Sequence, residues 1–311
     1  MRTCINEISF SDYLLGFKLD LPPIGTYYVN RSLTNNALLL GAYLEDTFAG
    51  IVILEFAHRP ILTYVFVEER FRRQNIGTQL VEAAMTYARD KGAAELGVNL
   101  IQQNEYGEVM DQMLRKIGFE IMDSATIIRY ANDEHCSSRW AAFMEEKGKR
   151  ICKALAGRGF KTLPFSEVPS VNFDKLKAAI GGEFPSNLDP FSFIHNQNDR
   201  IVPEYSFITL KDDQPVAFVT VTTVDNRSLV FQQLSTALSH RSRGVFLLPF
   251  AAFMERFLAG DSYRKLSAVV LDKNDKMQKL IHSLFGALAE SIKVQNYYEI
   301  KFVPFNPGQF K

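Results

Sequence analysis

An excess of charge of either sign is missing from this chain: 35 Lys and Arg are matched by 35 Asp and Glu over 311 residues. Such a balance supplies no global field to draw the protein onto nucleic acid or an anionic membrane, so neither is expected as a partner. Cysteine is scarce. The three present (Cys4, Cys136 and Cys152) show no metal-ligand spacing, which argues against a disulfide scaffold and reads as reduced thiols in a cytoplasmic protein. The five histidines are no better spaced, and no metal is expected. Long apolar runs are also lacking: no stretch approaches the ~18 residues of a spanning helix. The opening MRTCINEISFSDYLLGFK has neither the apolar core nor the small-residue cleavage site expected of a signal peptide. What is present is ordinary for a globular protein, 47% hydrophobic and 23% charged, and long enough for two domains of about 150 residues each.

After irregular segments up to Asn36, three runs rich in β-branched and aromatic residues follow: 37–44, 49–57 and 61–67. Short connections between them predict an antiparallel meander. The period then changes. Leu80, Val81, Ala84, Met85 and Ala88 recur at helical spacing, and Gly92 stands where a C-cap belongs. A strand over 95–101, a helix over 105–117 ending at Gly118, and a ribbon over 119–129 complete the first half. Residues 134–156, with the single Trp140, read as a helical connector closed by Gly157 and Gly159. The second half repeats the order, with strands over 205–210, 216–224 and 228–238, a helix over 245–259, a strand over 266–271, a helix over 275–285 and a ribbon over 292–302. The expected division is 1–132, a connector 133–159, and 160–311.

Chemistry concentrates where the meander meets the first long helix: Val67-Glu-Glu-Arg-Phe-Arg-Arg-Gln-Asn-Ile-Gly-Thr78. A helix N-terminus leaves backbone N–H groups unpartnered at the positive end of the macrodipole, where pyrophosphate binds readily. Asn75 and Gly77 are residues that tolerate close approach or positive φ. Arg72 and Arg73 add charge complementary to phosphate.

This segment resembles the acetyl-CoA signature of the GNAT superfamily of N-acyltransferases, Q/R-x-x-G-x-G/A, written here Arg72-x-x-Asn75-x-Gly77 with Asn in the first glycine's place. The order of elements and the Gly118-Phe119 pair are similar to the family's as well. The resemblance implies an α/β (α+β) fold of two GNAT-like domains, each with a mixed, mostly antiparallel central sheet flanked by helices. Loop residues Arg72, Arg73, Gln74, Asn75, Ile76, Gly77 and Thr78 would hold acetyl-CoA, and a backbone N–H near Phe66 or Val67 would polarise the thioester. The second half carries a worn signature, Arg241-x-x-Gly244-x-Phe246, whose bulky last residue would block a pyrophosphate or turn into the core.

Acyl transfer also wants a base for the amine and an acid for the leaving thiolate. Glu55 and Tyr64 are nominated for the base, with Glu68 an outside choice. The tyrosine that the family often places four residues before Gly-Phe is replaced by Leu114. In the second half His282 or Ile281 holds that position, depending on helix register. Met110, Met113 and Leu114 read as core. The expected activity is transfer of an acetyl group from acetyl-CoA to a small-molecule amine within a ternary complex. A catalytically silent pair that binds CoA or a protein partner is the alternative. An aminoacyl-tRNA-dependent transferase is disfavoured by the zero net charge. Oligomeric state is open.

Overall fold

A computed structural model describes residues 3–9, 21, 25, 28–30, 36–45, 47–56, 59–102, 105–193, 200–223, 227–241 and 243–302. Several residues of the expected turns and strand ends, among them Pro22, Pro23, Asp46, His58, Val224 and Ser242, lie outside these. The chain divides into two units, Met1–Ala125 with Val294–Lys311, and Thr126–Lys293.

In the first unit the meander forms as its composition suggests. Strands β1 (Thr3–Glu7), β2 (Ala37–Leu44), β3 (Thr47–Phe56) and β4 (Pro60–Val67) lie side by side in that order, all antiparallel. Helix α1 (Ile76–Asp90) then returns the chain so that β5 (Glu95–Gln102) runs parallel to β4, and α2 (Glu105–Ile117) leads into β6 (Glu120–Ala131). The buried positions of α1 (Ile76, Leu80, Val81, Ala84 and Ala88) form one stripe, packed on Val52, Leu54 and Leu62 of the sheet. Both helices end alike. Gly92 and Gly118 take φ of +81° and +109°, and the following residue bonds back five positions, Ala93 N–H to Ala88 and Phe119 N–H to Leu114. The Gly-Phe pair is thus a left-handed helix stop whose next side chain, Phe119, enters the core.

The last described strand is Ser291–Lys301, and its residues Val294–Lys301 belong to this unit, antiparallel to β5 from Val294↔Gln102 to Lys301↔Glu95. The expected division places them in 160–311. Tyr298 is fully buried beside Leu96 and Leu114 and donates its hydroxyl to Asp111 on α2, which also pairs with Arg115 at 2.9 Å.

In the second unit, α3 (Glu134–Phe143), a π turn (Met144–Gly148) and α4 (Lys149–Ala156) form a continuous helical stretch. Cys136, Trp140 and Met144 are buried in this unit's core, with Trp140 edge-on to Phe250 at 5.7 Å, so the stretch read as a connector packs as part of the unit. There follow β7 (Phe160–Pro164), α5 (Ser170–Ala179), β8 (Arg200–Ile201), β9 (Phe207–Lys211), β10 (Gln214–Thr223), β11 (Ser228–Thr236), α6 (Leu247–Ala259), β12 (Lys265–Leu271) and α7 (Asp275–Leu280), which continues as a π turn over Ile281–Phe285. The sheet order is β7-β9-β10-β11-β12, antiparallel except for the β11–β12 pair, and β8 pairs with β10. Each unit therefore has a mixed, mostly antiparallel sheet flanked by helices, with one parallel pair bridged by a long helix. The expected terminal ribbons are single long strands. Among the described residues no helix is long and apolar enough to cross a membrane, and no group of His, Cys, Asp or Glu could hold a metal ion.

Candidate functional site

Strand β4 carries one residue too many for its partner. Its register on β3 shifts between Ile53↔Tyr64 and Leu54↔Leu62, leaving Thr63 as a bulge. A bulge bends its strand. The parallel pairing with β5 covers only Ile61↔Gly97 and Leu62↔Val98, after which the strands part. The gap is a cavity of about 1040 Å³, walled by Thr63–Val67, by Val98–Ile101, by α2 and by the loop before α1.

Parting exposes backbone. Glu68 N–H bonds Ala49 O at 2.9 Å, so in the alternating pattern of an antiparallel pair the peptide groups of Phe66 and Tyr64 also face β3. Those of Val65 and Val67 face the gap, and the Val67 carbonyl there accepts from Arg72 Nε at 3.1 Å. Of the two residues named for the thioester, Val67 turns its peptide group into the gap and Phe66 does not; Val65, which no sequence signal marked, also turns its peptide group there.

The loop itself winds tightly. After a 3₁₀ turn at Glu69–Phe71, Arg73 and Asn75 both take φ of 64°, in the left-handed region, and α1 starts at Ile76. Alternation of right- and left-handed residues converges successive N–H groups into an anion-binding concavity. No side chain caps the helix start, and Arg73, Gln74 and Asn75 are exposed. Arg73, Asn75, Ile76, Gly77 and Thr78 line the cavity; Gln74 does not. A Cβ at Gly77 would make ordinary contact with Met113 Sδ at 3.5 Å and Val67 Cγ2 at 3.6 Å, so a larger side chain there would press on two residues of the cavity wall. Arg70 turns away to Glu68 at 2.8 Å. Arg72 lies across the gap, with Nη1 3.3 Å from the Tyr106 hydroxyl and its guanidinium 5.0 Å over that ring.

The nominated bases separate. Tyr64 lines the cavity. Glu55 is buried on β3 opposite Ala37 and Ile61, one strand behind the gap, and does not reach it. Met110 and Met113 pack against the core as expected and also line the cavity, whereas Leu114 is fully buried, so the position of the family's tyrosine holds no acid. In the second unit the π turn settles the register: Ile281 is buried and His282 is exposed.

The second unit repeats two features of the loop, at Arg241 and at Gly244. Arg241 Nε reaches Thr236 O at 3.4 Å as Arg72 reaches Val67, and Gly244 takes φ of 74° where Asn75 takes 64°. Here Phe246 packs against the main core, and Val245 is buried with Leu155 and Ile151 of α4. A Cβ on Gly244 would already touch Ile151 at 3.4 Å.

A basic loop feeds an uncapped helix start beside two diverging strands, and comparison with known proteins gives this arrangement a family likeness. Residues 8–109 match the model of the acetyltransferase (GNAT) family. A tandem GNAT protein from the clavulanic acid biosynthesis pathway, solved without acetyl-CoA, superposes over 98% of this chain and 100% of its own, with a TM-score of 0.60 at 13% identity. A GCN5-related N-acetyltransferase from Sphaerobacter thermophilus superposes over 96% and 95%, with a TM-score of 0.58 at 12% identity. No curated protein sequence matches the chain. The chain thus carries a GNAT-family domain in its first half and has the fold of a tandem GNAT protein.

Proposed function

We propose that the first unit binds acetyl-CoA and transfers its acetyl group to the amine of a small molecule, in the cytoplasm, with the two substrates bound together. The carrying observation is the left-handed pair Arg73 and Asn75 leading into an uncapped helix start that opens on the cavity between β4 and β5. The pyrophosphate would take the N–H groups of residues 75–78, with Arg73 beside them. The pantetheine arm would run along the open backbone of β4, and the Val65 and Val67 N–H groups would meet the thioester carbonyl, where negative charge develops during attack. Alignment of an amine that is already neutral supplies much of the rate without a base. The second unit, plugged by Ile151 and Phe246, supports the first and does not bind the cofactor.

Calorimetry with acetyl-CoA tests this. One site per chain is expected, lost in Gly77→Phe, whose ring would crowd the Met113 and Val67 wall of the cavity, and kept in Arg243→Ala. Equal loss from both changes would refute the assignment of the site to the first unit. A specific observation favours a second reading: Leu114 stands buried where the acid is expected, as fits a protein that binds CoA without turning it over. Acetyl-CoA binding with no thiol release from any amine would select it.

A further inference from the structure

Arg72 and Arg73 are equivalent in composition and unlike in place. Arg73 is exposed and makes no hydrogen bond or ion pair among the described residues, so its charge is available to an anion. Arg72 is half-buried and committed twice. Its Nε donates to Val67 O at 3.1 Å, and its Nη1 donates to the Tyr106 hydroxyl at 3.3 Å, with the guanidinium 5.0 Å over that ring. Reaching for a phosphate would break these contacts, which makes Arg73 the better-placed phosphate cation.

The second unit separates the two commitments. Arg241 reaches its own strand carbonyl, Thr236 O, at 3.4 Å and has no second partner among the described residues. The carbonyl bond is therefore common to both loops and belongs to their architecture, whereas the bond to Tyr106 accompanies the cavity. Tyr106 itself lies in the first turn of α2 and is 56% exposed. Val109 and Ile101 are 50% and 37% exposed, and all three line the cavity. Apolar side chains left uncovered around one cavity suit an apolar ligand segment. With the pyrophosphate at residues 75–78, the part of the cofactor that enters the gap is the pantetheine arm, rich in methyl and methylene groups. Arg72 joins the β4 side of the gap, at Val67, to the α2 side, at Tyr106. We infer that Arg72 and Tyr106 form a strap that holds the pantetheine arm between β4 and β5, and that Arg72 makes no bond to the pyrophosphate. This rests on the acetyl-CoA reading above. Both are positioning residues and neither meets the reacting atoms. Arginine is required, since a guanidinium bonds two partners with two nitrogens while lying flat on a ring, and an ammonium does not.

A double-mutant cycle on the calorimetric acetyl-CoA Kd tests the strap. Arg72→Ala and Tyr106→Ala are each expected to weaken binding about tenfold, and the double variant about twentyfold at most, because either change alone opens the strap. Arg73→Ala, also about tenfold, should multiply with Tyr106→Ala to about a hundredfold. Raising salt from about 0.05 to 0.5 M should shrink the Arg73 effect and leave the Tyr106 effect unchanged. Arg72→Lys, which keeps the charge, should bind as weakly as Arg72→Ala. Thermal midpoints within about 2 °C of the parent's report that the variants are folded. Should Arg72→Ala fail that check, the loss in Tyr106→Ala and its independence of salt decide the question. Losses that multiply between Arg72 and Tyr106, affinity restored in Arg72→Lys, or an unchanged Kd in Tyr106→Ala overturn the inference and leave the cofactor site standing. Absence of acetyl-CoA binding by the parent protein is the separate result that removes the reading beneath it.

Discussion

Two residues in the loop before α1 hold conformations that their side chains disfavour. A left-handed conformation costs an ordinary L-residue roughly 1–2 kcal/mol, less for Asn. Arg73 at φ of 64° bears this strain with no covalent need to be arginine. Strain at such a place is expected where function requires it. Arg73→Gly should therefore raise unfolding free energy by up to about 1 kcal/mol, the relief being partly offset by glycine's greater freedom in the unfolded chain. The same change removes a cation from the cavity and should weaken acetyl-CoA about tenfold. Stability and affinity moving in opposite directions, read by denaturant titration and calorimetry, mark a residue kept for binding. Parallel losses would mean that Arg73 is merely structural. Asn75, already tolerant of this region, should gain little from the same replacement.

At the scale of elements, α1 and α2 were legible because their signals are local, such as the stripe at Leu80, Val81, Ala84 and Ala88 and the left-handed glycine that closes each, whereas α5 carries no such signal. Strands β1 and β7, five residues each with mixed burial, carry too short a pattern to stand out from loop. The loop of the site was legible for the same local reason, since Asn75 and Gly77 announce special backbone. Its far wall was not. Tyr28, Asn99 and Tyr106 reach the cavity through strand order and a bulge at Thr63 that no spacing reveals, and Glu55 was misplaced because β4 shields β3 from the gap. The last strand illustrates what pairing adds. On it, burial and then the Glu299 hydrogen bond push Tyr297 up to about 12, and burial and then the Asp111 hydrogen bond raise Tyr298. A tyrosine of the unfolded chain titrates near 10. The folded state holds these protons more tightly, so its stability is intact below pH ~10 and falls as pH rises above it. Thermal midpoints from pH 8 to 11 should show this decline. Tyr298→Phe should lose about 1 kcal/mol at pH 8, from the missing hydrogen bond, and flatten the alkaline slope. A slope unchanged by that substitution would assign the decline to other groups.

For the whole molecule, the consequence lies in where the first unit ends. A division at residue 132, drawn from composition and element order, predicts that the first half folds alone. The pairing of β5 argues otherwise, since all eight of its residues from Glu95 to Gln102 have partners in Val294–Lys301. A fragment 1–132 would leave that edge open and strip Tyr298 and Phe302 from the core around Leu96 and Leu114. Deleting one large core side chain typically costs about 3–5 kcal/mol, comparable to the stability of a small domain, and an open apolar edge invites aggregation. Because β5 also forms one wall of the cavity, the loss should reach the cofactor. The fragment is expected to be insoluble or unfolded and to bind no acetyl-CoA. Joining residues 291–311 to it through a flexible linker should restore solubility and bring the Kd to within about tenfold of the full chain's, the linker replacing covalent continuity with a high effective concentration. Full-length affinity in fragment 1–132 itself would show that β5 needs no partner there and that the tandem arrangement is dispensable for binding. Rescue by the added strand would instead make Val294–Lys301 part of the site's own foundation, so that the loop before α1, written within the first eighty residues, depends on a strand some two hundred residues further along the chain.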